Sequence, residues 1–189
     1  MAFDEWGPLQ GLVGTWEGDH GLDVSFHNDL GKVAETEYRE RTTFKAFGPV
    51  DNGAQLLYGL DYRTAAWRVD EETPFHTEVG YWLWDPQDLQ VMRCFMLARG
   101  STVIAGGRAE PDATTFELRA DLGSTTYGIL SNLYLDAFAR TTRYDVTVTI
   151  DGATFRYEET TTVEHAKSTD LILHTDRDVR LHGPKRRQP

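Results

Sequence analysis

Two histidines of this sequence lie within patterns that are typical of β-strands, and each has a carboxylate two positions further on. His76 precedes Glu78 in this way, and His174 precedes Asp176 and then Asp178. Side chains two positions apart lie on the same face of a strand, so each histidine shares a face with its carboxylates. An imidazole beside carboxylates can form a buried hydrogen-bonded pair or supply ligands to a metal ion.

The spacing around His174 argues against a metal ion held by this one strand. Successive residues on one face are roughly 7 Å apart along a strand, and one ion cannot span that distance unless the strand curves. For His76, the simpler alternative is a core histidine that is bonded to Glu78 or to the backbone. The other four histidines, which have no such pattern, are predicted to lie at the surface: His20, His27, His165 and His182.

The strand that contains His76 is the most informative segment, and it extends from Phe75 to Trp84 between Pro74 and Asp85-Pro86. Aromatic and β-branched residues bounded by turn residues predict a strand. One face carries Phe75, Thr77, Val79, Tyr81 and Leu83, and the other carries His76, Glu78, Gly80, Trp82 and Trp84. An ionisable pair followed by two indoles on one face predicts a wall that faces an internal cavity.

The remaining chain repeats strand patterns and shows no long amphipathic helical period. Asp151-Gly152 between two alternating runs indicates a tight hairpin, because a type I′ turn needs positive φ at both central positions. About ten strands are predicted: 14–19, 33–47, 56–67, 75–84, 89–97, 102–109, 114–120, 141–150, 154–163 and 171–182. The segment 122–138 is predicted to be irregular, with room for a short helical turn. The first strand follows a segment, 3–13, that could hold one helical turn.

This spacing predicts an all-β fold, an antiparallel up-and-down β-barrel of the calycin or fatty-acid-binding-protein type. We expect a single domain over residues 1–189, with the barrel at about 12–182 and a short flexible C-terminal tail. A ten-stranded barrel is wide enough to leave a lumen for a small ligand.

Composition narrows the possible partners and the compartment. The 189 residues carry a formal net charge of −11, which disfavours binding to nucleic acid and to anionic membranes. Cys94, the only cysteine, excludes an intrachain disulfide and is predicted to pack in an apolar strand. The N-terminal residues do not resemble a leader peptide, so we expect a cytoplasmic protein. Whether the protein forms a homodimer is left open by the sequence.

Two segments resemble the nitrobindins, a family of haem-binding barrels that are similar to fatty-acid-binding proteins. Gly14-Thr15-Trp16-Glu17-Gly18 resembles the family's Gly-x-Trp-x-Gly opening, and His20 replaces the family's next glycine. Pro74-Phe75-His76-Thr77-Glu78-Val79-Gly80-Tyr81 resembles its Pro-Leu/Met-His-Ser-Glu-x-Gly-Tyr strand. The final strand is similar in holding a histidine, His174, which is followed here by acidic residues where the family has small and apolar ones.

The resemblance implies a haem b in one open end of a ten-stranded barrel. It implies that His174 is the axial ligand of the iron, that His76 lies near the haem, and that Trp82 or Trp84 lines the pocket wall. It also implies a ferric haem that meets nitric oxide and peroxynitrite, with peroxynitrite isomerase activity if haem is bound.

Two other functions remain open from the residues alone. The first is a haem-free intracellular carrier of a fatty acid or another small hydrophobic ligand, whose carboxylate would bind an arginine within a strand. Arg156, Arg143 and Arg39 are the candidates for this role, with Tyr38 or Tyr157 beside them, although Arg156 could equally form a surface pair with Glu158. The second is a structural barrel with a filled interior.

Overall fold

The strands of this protein close into a barrel around an interior that is filled at one end and open at the other. The structure, a computed structural model, describes residues 5–183 apart from the side chain of Asp178. The predicted C-terminal tail beyond residue 183 therefore lies outside the described residues. Within them, no helix is long and apolar enough to cross a membrane.

Eleven strands and two short helices make up the described chain. The helices are a 3-10 helix, Gly7–Leu12, and α1, Leu133–Phe138. The strands are β1 (Gly14–His27), β2 (Lys32–Asp51), β3 (Leu56–Arg68), β4 (His76–Asp85), β5 (Gln90–Leu97), β6 (Ser101–Arg108), β7 (Thr115–Leu122), β8 (Gly128–Ser131), β9 (Ala139–Asp151), β10 (Thr154–His165) and β11 (Ile172–His182).

Sequence neighbours pair around most of the barrel, and β11 closes the circle by pairing with β1. The pairs are antiparallel except for β7 and β8, which are parallel. The short β8 lies between β6 and β7, which still meet at Gly106 and Arg119. The up-and-down barrel that the sequence predicts is confirmed, with β8 as an additional strand inside the segment that was expected to be irregular.

The first strand is longer than its sequence pattern suggests. We predicted a strand that ends at Asp19, but β1 continues to His27 after a shift in its register with β2 between Gly18 and Gly21. An irregular pair of residues at this point interrupts the alternation that sequence reasoning depends on. As a result, β1 brings Asp23 opposite Asp176 of β11.

Alternation along β4 agrees with the prediction. Glu78, Trp82 and Trp84 are buried, whereas Val79 and Tyr81 on the other face are exposed. Gly80 marks a close approach of β5, because a Cβ atom there would lie 2.0 Å from the carbonyl oxygen of Cys94. The glycine of this motif is therefore required by the packing of two neighbouring strands.

The 3-10 helix closes one end of the barrel. Leu9 and Leu12 of this helix are fully buried. The Trp6 indole Nε1 donates to the carbonyl oxygens of Phe47 and Gly59 at 3.3 and 3.1 Å, which holds the preceding turn across β2 and β3. Burial of the apolar helical face at about 25 cal/mol per Å² stabilises this end.

Candidate functional site

A cavity of about 440 Å³ occupies the open half of the barrel. This volume falls in the range of roughly 300–1,000 Å³ that is common for small-molecule sites, so the prediction of a filled barrel is wrong. Leu135 of α1 is among the residues that line the cavity, and its wall combines an apolar set of side chains with polar ones. The apolar wall includes Phe26, Phe75, Leu97, Val103, Val163 and Ile172.

A buried ionic network forms the cavity floor around Arg93, which extends inward from β5. Its Nη2 donates to Glu78 Oε2 at 2.6 Å, and its Nη1 donates to Glu159 Oε2 at 2.8 Å. The hydroxyls of Tyr62 and Tyr144 accept from the same guanidinium and donate to the two carboxylates at 2.6 and 2.7 Å. Because both charged nitrogens have carboxylate partners, the arginine is compensated where it is buried.

His76 joins this network through Glu78. Its Nε2 lies 2.9 Å from Glu78 Oε1. Burial disfavours the charged imidazole, but Glu78 outweighs that effect and raises the pKa of His76 to about 9. Burial likewise opposes ionisation of Glu78, yet Arg93 and His76 lower its pKa to about 2. His76 is therefore a cation at neutral pH, fixed on the cavity wall.

A second chain of hydrogen bonds crosses the floor from Asp176 to Glu40. The Tyr38 hydroxyl donates to Asp176 Oδ1 at 2.9 Å and lies 3.4 Å from the Tyr157 hydroxyl, which donates to Glu40 Oε2 at 2.6 Å. Thr42 also donates to Glu40. Burial raises the pKa of Glu40, and the hydrogen bonds that it accepts from hydroxyl groups offset this effect only in part.

His174 extends from β11 into the cavity between two aspartates. Its Nε2 lies 2.5 Å from Asp23 Oδ1 and 3.8 Å from Asp176 Oδ2. The pKa of His174 is raised, since its contacts with the two carboxylates outweigh the effect of burial. Burial and the nearby Glu159 raise the pKa of Asp176 to about 7. Of the His174 side chain, 36% is exposed, on the side of the cavity.

The structure thus brings His76 and His174 to the wall of one cavity, but it places the two predicted tryptophans and the three predicted arginines elsewhere. Trp82 and Trp84 are buried in the filled end, and neither lines the cavity. The prediction that they line a ligand pocket is corrected: the inward face of β4 continues past the cavity floor into the core.

The three arginines proposed for a carrier lie on the outside of the barrel. Arg39 stacks on Trp67 at 4.6 Å, Arg143 pairs with Asp145 at 2.6 Å, and Arg156 is exposed. Because their side chains do not border the cavity, they cannot bind a ligand inside it, and this prediction is corrected. Tyr38 and Tyr157, named beside them, do line the cavity.

Sequence reasoning missed several residues of the cavity. Arg93 occupies the inward face of β5 between Val91 and Phe95, and a charge within that alternation was the available signal. His27 and His165, expected at the surface, also border the cavity, and the His165 ring packs 4.2 Å from Phe26. Other polar residues of the floor come from different strands, and no sequence pattern indicates that they meet: Glu40, Tyr62, Tyr144 and Glu159.

The described cavity fits a haem group. Its volume and the apolar side chains of its wall suit a flat, mostly apolar ring, and His174 exposes an imidazole on that wall. The Nε2 atom of His174 contacts Asp23, so ligation through this nitrogen requires the pair to separate or the ring to turn. Arg68 and Arg99, which border the cavity, carry charge opposite to that of haem propionates.

Comparisons with known proteins agree with this architecture. The family described as "THAP4-like, heme-binding beta-barrel domain" matches residues 5–176. The solved structure of Rv2717c from M. tuberculosis has the same fold, with a TM-score of 0.64 and 20% sequence identity over 94% of this chain and 95% of that chain. No curated protein sequence matches the chain. Since the family match covers most of the sequence, this chain belongs to the THAP4-like haem-binding β-barrel domains, the nitrobindin family.

Proposed function

We propose that this protein binds haem b in the open half of the barrel, with His174 as the axial ligand, and acts on nitric oxide and peroxynitrite. The observation that carries the proposal is the His174 imidazole, which the last strand presents to a cavity of about 440 Å³. The family match supports haem as the ligand class. When bound, ferric haem would supply an iron position that can accept nitric oxide or isomerise peroxynitrite to nitrate.

The residues of the chain would contribute binding, orientation and charge. The apolar side chains of the wall, among them Phe26 and Ile172, would exclude water from the faces of the haem ring. Asp23 and Asp176 both contact Nε2 of His174, so they would orient the ring for ligation only if it presents its other nitrogen, Nδ1, to the iron. His76, a cation paired with Glu78, would hold its position on the cavity wall beside the bound haem.

Titration of the purified chain with hemin tests the proposal. We expect one hemin per chain and the sharpened Soret band of a five-coordinate ferric haem. His174→Ala should abolish this band, whereas His76→Ala should change only the affinity for hemin or for added anions. His182→Ala on the same strand is the matched control, because His182 is exposed and does not border the cavity.

Two results would contradict separate parts of the proposal. Equal hemin binding by wild type and His174→Ala would remove His174 as the ligand. A stopped-flow experiment in which the hemin complex gives no more nitrate from peroxynitrite than the hemin-free chain would remove the isomerase activity.

The carrier alternative has less support in the structure. Of the three arginines that border the cavity, Arg68, Arg93 and Arg99, it is Arg93 that lies at the floor, and its charge is already paired with Glu78 and Glu159. A fatty-acid carboxylate at the cavity floor would have to displace one of these buried ion pairs, which is costly. Binding of a fluorescent fatty acid by the hemin-free chain, competed by hemin, would restore this alternative.

A further inference from the structure

Three potential metal ligands meet on the cavity wall where β1 pairs with β11. Asp23 and Asp176 are opposite each other in the register of these strands, and His174 lies two positions before Asp176. One ligand atom from each residue lies within 4.8 Å of those from the other two. The sequence suggested His174, Asp176 and Asp178 on one strand, a set that is too widely spaced, whereas the structure supplies Asp23 from the neighbouring strand.

Hydroxyl groups hold the two carboxylates so that each has one oxygen directed at His174. Ser25 donates to Asp23 Oδ2 at 2.8 Å, which leaves Oδ1 against the imidazole. Tyr38 donates to Asp176 Oδ1 at 2.9 Å, which leaves Oδ2 on the side of the imidazole. Anchoring of the non-ligating oxygen by a neighbouring donor is the usual outer arrangement of carboxylates that bind metal ions.

The local charges also favour a cation at this position. Arg93 is paired with Glu78 and Glu159, and His76 is paired with Glu78, so these cations are engaged elsewhere in the described cavity. Asp23 and Asp176 share a single imidazole. An ion bound here would be surrounded by protein on one side and by the open cavity on the other, which leaves positions for water.

We propose that Asp23, His174 and Asp176 form a binding site for one divalent transition-metal ion of the Zn²⁺, Co²⁺ or Mn²⁺ class. Ligand atoms around such an ion are separated by roughly 3–4 Å, so Asp23 and His174, now 2.5 Å apart, must separate by about 0.5–1.5 Å. One imidazole and two carboxylates suit this class of ions, whose coordination mixes nitrogen and oxygen. The ion and haem would exclude each other, because both need His174, but the metal site does not depend on haem binding.

Titration of the full-length, hemin-free chain with Co²⁺ tests this site, by visible absorption and by calorimetry. We expect one Co²⁺ per chain and the visible bands of a nitrogen- and oxygen-coordinated ion. Asp23→Asn and Asp176→Asn should each weaken binding by about tenfold or more. Asp145→Asn is the matched control, because Asp145 pairs with Arg119 and Arg143 and does not border the cavity. Near-ultraviolet circular dichroism checks that each variant is folded.

Hemin binding separates this proposal from the proposed function. Preloaded Co²⁺ should slow hemin uptake by the wild type, and Asp176→Asn should bind hemin without this inhibition. The metal site is wrong if the folded wild type binds no Co²⁺, or if Asp145→Asn loses as much affinity as the two cavity variants. Either result would leave the hemin titration of the wild type unaffected.

Discussion

His76 and His174 both face the cavity and both contact a carboxylate, but the surroundings of the two carboxylates differ. Glu78, the partner of His76, also accepts from Arg93 and Tyr62, so it belongs to a buried network in which its charge is paired with cations. Asp23, the partner of His174, accepts from Ser25, and a second carboxylate, Asp176, lies on the other side of the ring. His76 is fixed as part of the barrel, whereas we propose that His174 exchanges its contacts for a ligand.

This contrast separates structural charge from charge that is available for binding. The Arg93 network satisfies each of its charges with an opposite charge, and it defines where the cavity ends. The cluster around His174 has an excess of carboxylates and is partly open to the cavity. A ligand is therefore expected to bind at the β11 side of the cavity and to leave the β5 side unchanged.

The largest effect on the free energy of unfolding is expected from removal of Arg93, the cation at the centre of the buried network. Arg93→Met would leave Glu78 and Glu159 buried without their main partner, which should cost about 3–5 kcal/mol in the free energy of unfolding. Urea unfolding would measure this cost, and part of it should be recovered at acidic pH, where the two carboxylates take up protons.

Arg156→Met is the control for this variant, because it removes an exposed arginine from a strand of the same barrel. Its free energy of unfolding should change by less than about 0.5 kcal/mol. If Arg93→Met proved as mild as the control, the network around Arg93 would not be what stabilises this part of the barrel.

A smaller, pH-dependent effect should distinguish the two histidines. The pKa of His76 is raised to about 9, so its charged contact with Glu78 contributes stability that is fully present below about pH 6.5 and is lost as the pH rises through 9. His76→Gln should therefore destabilise the protein more at about pH 6 than at about pH 9.5, as measured by urea unfolding at both pH values.

His174→Gln provides the comparison within the same cavity. The two histidine side chains are exposed to a similar extent, 36% for His174 and 33% for His76, so exposure does not separate them. Asp176, whose pKa is already raised to about 7, can take up a proton when the imidazole is removed, so the loss of His174 should cost under about 1 kcal/mol in the free energy of unfolding. A loss of stability in His174→Gln as large as that in His76→Gln at about pH 6 would contradict the assignment of a structural role to one histidine and a binding role to the other.

Much of the fold could be predicted from local patterns. Alternation in β4 predicts the inward and outward faces that the structure shows. Asp151-Gly152 predicts the hairpin but not its turn: Thr154 pairs with Asp151, so the loop residues are Gly152 and Ala153, and φ is positive, at 57°, for Gly152 and not for Asp151. The continuation of β1 to His27 was missed, because the register shift after Gly18 breaks the alternation. The short β8 was missed because its four residues are too few to show a period.

The site was less predictable, because its geometry depends on pairing between distant strands. His76 and Glu78 could be identified together, since they are two positions apart on one strand. Asp23 is far from His174 in sequence, and only the closure of β1 on β11 brings them together. The prediction that strand arginines bind a ligand failed for a related reason. An alternating strand does not reveal which of its two faces lies inside the barrel.

Resonance Raman spectroscopy of the reduced hemin complex tests the central claim, that His174 and not His76 supplies the nitrogen to iron. An iron–histidine stretching band reports this bond directly. We expect the band in the wild type and in His76→Gln, and its loss in His174→Ala. A band that persists in His174→Ala and disappears in His76→Gln would contradict the account.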